Sequence, residues 1–166
     1  MDFTLRPMTL ADLPHVLELQ ALCYPPDLHD ERPAFESRLA LAPSMNLVAE
    51  RSGEIAAYLV SHPWTSESPP PVNAVLATPH ADSLCWFIHD LSVAPKARGS
   101  GLGRRLIAAG AQAATALGLA ESQLIAVEGA AEFWLSQGWR PVDVNATLAG
   151  KVAGYGPLAV YMARPL

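Results

Sequence analysis

APKARGSGLGRRLI, residues 94–107, is the part of the chain from which the rest can be read. Arg98, Gly101 and Gly103 fit R-x-x-G-x-G, and Gly99 adds a further glycine. An apolar, strand-like run from Trp86 to Val93 precedes it and an alanine-rich helix follows. Glycine lets a backbone approach a ligand with no Cβ in the way. Successive N–H groups of a tight turn form a concave anion site. The helix that follows adds its unpaired first donors and the positive end of its dipole. Arg98, Arg104 and Arg105 then flank the anion, and the stretch reads as a phosphate cradle. It is not a P-loop, because Gly103 is followed by Arg104 and Arg105 rather than by Lys and Ser or Thr. A dinucleotide fingerprint also fits poorly, since that motif has another glycine rhythm and sits early in a βαβ unit.

The flanks narrow the ligand. LSVAP (residues 91–95) leads into the loop, QLIAV (123–127) reads as a strand, and AAEFWLSQGW (130–139) as a short helix ending in aromatic-x-x-x-Gly-aromatic. FTLRPMTLADLPHVLELQ (3–20) opens the chain as strand and helix. In this order the pieces resemble the Gcn5-related N-acetyltransferase superfamily, whose acyl-CoA loop has the pattern Q/R-x-x-G-x-G/A. The resemblance runs through nearly the whole chain. It implies one α/β domain over residues 1–166 with the GNAT acyl-CoA N-acyltransferase fold. That is a mixed, twisted sheet of about six to seven strands with about four helices, splayed where the cofactor binds. It implies acetyl-CoA as cosubstrate and no metal. Arg98, Gly99, Gly101 and Gly103 would hold the pyrophosphate beside Arg104, with Ser100 donating from its backbone. The backbone N–H groups of Leu91 and Val93 would serve the thioester carbonyl and the pantetheine arm.

Composition agrees. With 166 residues, 51% of them hydrophobic and 16% charged, the chain suits one packed core and not a disordered segment. A net charge of -5 argues against nucleic acid and suits cationic amines. Cys23 and Cys85 have no metal-ligand spacing and point to a reducing compartment. Asp2 and Arg6 interrupt any leader, and the run after Arg105 contains Gln112 and Thr115, so it does not read as a membrane span. A cytoplasmic protein without membrane association is expected.

A strand is expected over 4–6, then a helix to about Leu22, capped by Thr9 or Asp12 and ended by Pro25 and Pro26. A second helix over about 33–41 stops at Pro43. Residues 46–61 read as a hairpin turning at Ser52-Gly53, and 158–162 as a closing strand. Between them, residues 63–83 form a long Pro- and Ser-rich loop that either lines a substrate entrance or lies on the surface.

In the strand before the cradle, alternation puts Phe87, His89 and Leu91 on one face and Ile88, Asp90 and Ser92 on the other. His89 can act as general base for an amine, directly or through one water. By residue type alone a half-buried structural histidine is an equal reading. The segment 44–103 is similar to the serotonin (arylalkylamine) N-acetyltransferases. It shares the hairpin PSMNLVAERSGEIAAYLVSHPW (43–64), the long loop, and a histidine four residues before the valine of LSV. That subgroup has two histidines on this strand; His89 matches the second and Phe87 occupies the first place. The resemblance makes His89 the base, with Asp90 as its partner, an amine anchor or a strand-end hydrogen bond.

Many relatives carry a tyrosine acid after the first aromatic of the short helix. Trp134 stands there, after Phe133, and cannot protonate a thiolate. Tyr155, in the glycine-rich stretch GKVAGYGPLAVYM (150–162) read as a loop, is the candidate replacement acid, with Tyr24 behind it. A thiol with a pKa of about 8.5 leaves tolerably unaided. His29 with Asp27, Asp30 and Glu31 lacks ligand spacing and reads as a solvated turn. Glu128 could anchor an amine or complement a helix dipole.

The expectation is therefore an acetyl-CoA-dependent N-acetyltransferase acting on a small primary amine, arylalkylamines included, by direct attack in a ternary complex. A protein N-terminal or lysine acetyltransferase is an alternative. A non-catalytic CoA-binding regulatory module is another, motivated by Trp134. The oligomeric state is open, a homodimer included.

Overall fold

A computed structural model of the chain describes residues 2–79 and 84–166. The last four residues of the long loop, 80–83, lie outside the described residues. Seven strands form one sheet in the order β1-β2-β3-β4-β5-β7-β6. They are β1 (Thr4–Pro7), β2 (Leu47–Arg51), β3 (Glu54–Thr65), β4 (Leu84–Val93), β5 (Glu121–Ala126), β6 (Arg140–Pro141) and β7 (Val160–Pro165). All neighbours run antiparallel except β4 and β5, which are parallel. Parallel neighbours need a crossover, and α3 (Leu102–Ala116) supplies it.

Helices α1 (Leu13–Cys23) and α2 (Arg32–Leu41) pack on β3, and α3 also contacts β3 and β4. Phe35 of α2 meets Tyr58 edge-on at 6.2 Å between ring centroids. On the α3 side, Gly110 lies so close to the sheet that a Cβ there would come within 2.6 Å of Trp86 and 2.8 Å of Leu59. This close approach seats the second half of α3 against the first half of β4. α4 (Ala131–Ser136) carries Trp134, which packs against the buried Trp139 at 5.2 Å.

The splay expected of the sheet is present: β4 and β5 pair only at Trp86–Ser122, Phe87–Gln123 and Ile88–Leu124, although both strands continue. A fifth helix, α5 (Ala146–Ala153), stands where Gly150–Ala153 were expected to be loop. Asn145 caps it, its side chain accepting the Leu148 N–H at 2.8 Å. Gly150 and Gly154 read as helix breakers in sequence, but this cap and the burial of Leu148 and Val152 outweigh them.

One irregularity corrects the expected strand faces. The β3–β4 register steps from Val60–Asp90 to Ser61–Ile88, leaving His89 as the extra residue of a β-bulge. His89 and Asp90 consequently both turn toward the α1–α2 side, where His89 meets Asp30 and Asp90 meets Tyr58. Leu91 returns to the α3 side, near Gly103. Strict alternation cannot anticipate an inserted residue.

Candidate active site

The diverging ends of β4 and β5 open a cleft of about 630 Å³ that runs from the glycine-rich turn to the segment around Val72. Its two halves differ in construction.

At the first half, Gly99 and Gly101 adopt φ of 79° and 80°, a region that side chains other than glycine rarely occupy. A Cβ built on either would meet nothing within 4 Å, so this space is open to a ligand. Gly101 caps α3, and the first helical bond joins the Arg105 N–H to the Gly101 carbonyl. The N–H groups of Leu102, Gly103 and Arg104 thus stand before the ladder, and all three residues line the cleft. Arg98 and Arg104 are exposed along it. Two expectations change. The Ser100 N–H is already directed at the Ala97 carbonyl (3.3 Å), as is its hydroxyl (2.5 Å). Arg105 points elsewhere, donating to the Phe3 carbonyl at 3.0 Å.

Along β4, the Ala94 N–H donates to Ala56 of β3 at 2.8 Å, so alternation turns Leu91 and Val93 to the open edge. Their carbonyls agree, accepting the Tyr24 hydroxyl (3.1 Å) and the Cys23 thiol (3.6 Å) from that side. Burial pushes the Cys23 thiol up, which leaves it a poor nucleophile. Cys85 is a buried residue away from the cleft, pushed up to about 12. Of the four tryptophans only Trp134 lines the cleft.

The second half is made of side chains. His89 lines it, with Nε2 2.5 Å from Asp30 Oδ2, both side chains buried. Asp30 Oδ1 accepts the Asn73 N–H, and the Gln20 side-chain amide clasps the Asp30 backbone at 2.8 and 2.9 Å. Burial works to raise the Asp30 carboxyl, but His89, the Arg38 charge and the Asn73 N–H together hold it below the usual carboxylate range. His89 Nδ1 has no partner among the described residues.

Arg38 is fully buried and donates through Nη1 to the Ala34 and Ala74 carbonyls, while its Nε and Nη2 have no partner among the described residues. Tyr155 reaches the site, its ring 6.4 Å from that of His89, and its hydroxyl donates to the Pro70 carbonyl. Burial raises the Tyr155 hydroxyl above its ordinary range. Asp90 also lines the cleft; burial pushes it up, and it accepts from Tyr58 at 2.5 Å and Ser92 at 3.2 Å. Leu28, Val72, Ile125 and Val127 complete an apolar wall. Glu128, in the left-handed region at φ 50°, stands exposed at the rim.

Asp30 is the residue that sequence reading passed over, as part of a solvated turn. Its neighbours in the chain give no sign of His89, 59 positions away. Among the described residues no group of three or more His, Cys, Asp or Glu could hold a metal ion, and no helix is long and apolar enough to cross a membrane.

The profile of the Acetyltransferase (GNAT) family matches residues 13–139, and the chain belongs to that family. No curated protein matches the sequence. Among solved structures the chain is similar to N-acetylglutamate synthase from Neisseria gonorrhoeae complexed with coenzyme A and N-acetyl-glutamate. The identity is 20% and the TM-score 0.71, covering 100% of this chain and 35% of that one. The chain thus spans about a third of the length of that enzyme. It is also similar to the ribosomal-protein-S18-alanine N-acetyltransferase from Escherichia coli, at 17% identity and TM-score 0.68 over 98% and 93% of the two chains. A third similarity is to Naa20 from Chaetomium thermophilum in complex with a bisubstrate analogue, at 25% identity and TM-score 0.71 over 98% and 86%.

Proposed function

We propose that this acetyl-CoA-dependent acetyltransferase of the GNAT family acts on a small primary amine with an apolar body, arylalkylamines among them, and that His89 takes the amine's proton. The open turn at Gly99 and Gly101 and the unpaired N–H groups of Leu102, Gly103 and Arg104 fit a pyrophosphate, with Arg98 and Arg104 as counter-charges. Acetyl-CoA supplies the activated acetyl group. The outward N–H groups of Leu91 and Val93 orient its carbonyl and steady the oxygen as charge develops there.

One observation carries the acceptor reading. Residues 68–74 strap the far end of the cleft. Asn73 bonds Asp30 and Glu31 of the α1–α2 connection, Pro70 accepts the Tyr155 hydroxyl, and Ser68 accepts from Lys151 of α5. An extended peptide needs an open groove across that end, whereas a compact amine needs only the chamber beneath the strap, walled by Leu28, Val72, Ile125 and Val127. Residues 68–74 of the long loop are in this reading a wall of the acceptor site. Tyr155 closes the chamber; to act as acid it would first have to leave the Pro70 carbonyl. Tyr24 lines the cleft on the Leu91 carbonyl, at the strand edge that would hold the thioester, and is the other hydroxyl that could serve a departing thiolate.

Thiol release from acetyl-CoA is to be measured over arylalkylamines, polyamines, amino acids and short peptides, the last standing in for a protein acceptor such as the ribosomal protein in the Escherichia coli neighbour's name. The highest kcat/KM is expected with an apolar amine. His89→Ala should lower kcat by about 10²- to 10⁴-fold with CoA affinity retained. Preference for peptides would overturn the acceptor class, and CoA binding without transfer to any amine would favour a regulatory module.

A further inference from the structure

We propose that Asp30 is a positioning residue of this site, holding His89 in the tautomer protonated on Nε2 so that Nδ1 is the nitrogen that receives the amine's proton. This rests on the reading of His89 as the base. The Asp30 carboxylate is acceptor-only, so the hydrogen in its contact with His89 belongs to Nε2. A neutral imidazole protonated on Nε2 carries its lone pair on Nδ1, the ring nitrogen without a partner among the described residues. The ring lines the cleft with Nδ1 itself buried, so the proton would reach it through a water admitted as the amine enters.

The surroundings are arranged to keep Asp30 ionised and in place. A buried carboxylate is costly unless hydrogen-bonded and balanced by charge. Asn73 donates to Oδ1, Gln20 grips the Asp30 backbone in both directions, and the buried Arg38 supplies positive charge from α2. The bulge at His89 completes the arrangement, because regular alternation from Asp90 would turn this ring away from the α1–α2 side. The other titratable groups around His89 are His62 of β3, Asp90 of β4 and Tyr155 beyond α5.

In the step itself the ammonium N–H bond breaks, its proton passes to Nδ1, and the electron pair left on nitrogen forms the N–C bond at the thioester carbon. The C–S bond then breaks with its pair on the departing CoA thiolate, which takes the second proton from the attached nitrogen, directly or through water, and the proton on Nδ1 is released to water. Asp30 keeps its charge throughout and balances the transient imidazolium.

Asp30→Asn makes a directed test. The Asn73 N–H claims the oxygen of the new amide, so its NH2 faces His89 Nε2 and imposes the opposite tautomer. The expected result is a fall in kcat of about 100-fold or more with unchanged CoA affinity. Combined with His89→Ala, the substitution should add almost nothing. Nitrogen-15 NMR of the wild-type enzyme with the imidazole neutral should show His89 protonated at Nε2, and Asp30→Asn should move the proton to Nδ1. A wild-type spectrum with the proton on Nδ1 overturns the proposal even where the variant fails to fold. So does a variant within threefold of wild-type kcat while His89→Ala is inactive. If His89→Ala itself turns over normally, the base assignment of the preceding section fails instead.

Discussion

The half of the cleft that we assign to the donor presents backbone, and the half that we assign to the acceptor presents side chains. At residues 98–104 the working groups are N–H donors and two exposed glycines with positive φ, all within one short stretch of chain. Around His89 they are Asp30, Arg38, Asn73 and Tyr155, drawn from four separate segments and largely buried. The difference follows from the ligands. A pyrophosphate is the same in every turnover and can be gripped by atoms that every residue possesses, whereas an amine must be deprotonated and selected, which needs particular side chains in a dry, shaped space.

The largest expected effect tests whether acid sensitivity belongs to the buried half. Burial holds the His62 imidazole down to about 3, against about 6.5 in an unfolded chain. The unfolded chain therefore binds the proton first as pH falls. Stability present at neutral pH should be lost between about pH 6.5 and pH 3, by roughly 4 kcal/mol. Asp30, held low, adds a loss of the same sign once the carboxylate range is reached. Urea midpoints at pH 7 and pH 4 read this out, and His62→Gln should flatten the slope. An equal flattening by Arg98→Ala would break the contrast.

Gly101→Val comes next. A β-branched residue forced to φ 80° costs about 1–3 kcal/mol. CoA binding by calorimetry should weaken roughly 5- to 150-fold, with kcat preserved at saturating acetyl-CoA. A loss confined to kcat would mean that the turn serves chemistry rather than binding.

Tyr155→Phe removes one neutral hydrogen bond to the strap, worth about 1 kcal/mol. The acceptor KM should rise about fivefold with kcat unchanged. A selective fall in kcat would instead make Tyr155 the acid. The smallest effect is Arg98→Ala. As an exposed counter-charge it should weaken CoA binding about threefold at low salt, the difference fading at about 1 M.

Legibility followed the same divide. The cradle, the strand before it and the α3 crossover could be read directly, because spacing within about ten residues governs a turn and the helix it opens. His89 was visible as an ionisable group in an apolar strand. Its orientation was not, since the bulge depends on pairing with Val60 and Ser61 of β3. Asp30 looked like surface because Asp27, His29 and Glu31 surround it in sequence, yet Gln20 and Asn73 draw it inside. α5 was hidden by its glycines and is held by a cap and two buried contacts.

From its residues alone this chain declared the family and the donor, and offered His89 as the proposed base. Those are set by local backbone geometry and by the residue type at one strand position. The tertiary structure decided which face His89 takes, that Asp30 stands behind it, and that residues 68–74 cross the far end of the cleft. Each of these depends on contacts between segments distant in sequence, whose free energy is settled only when the core packs.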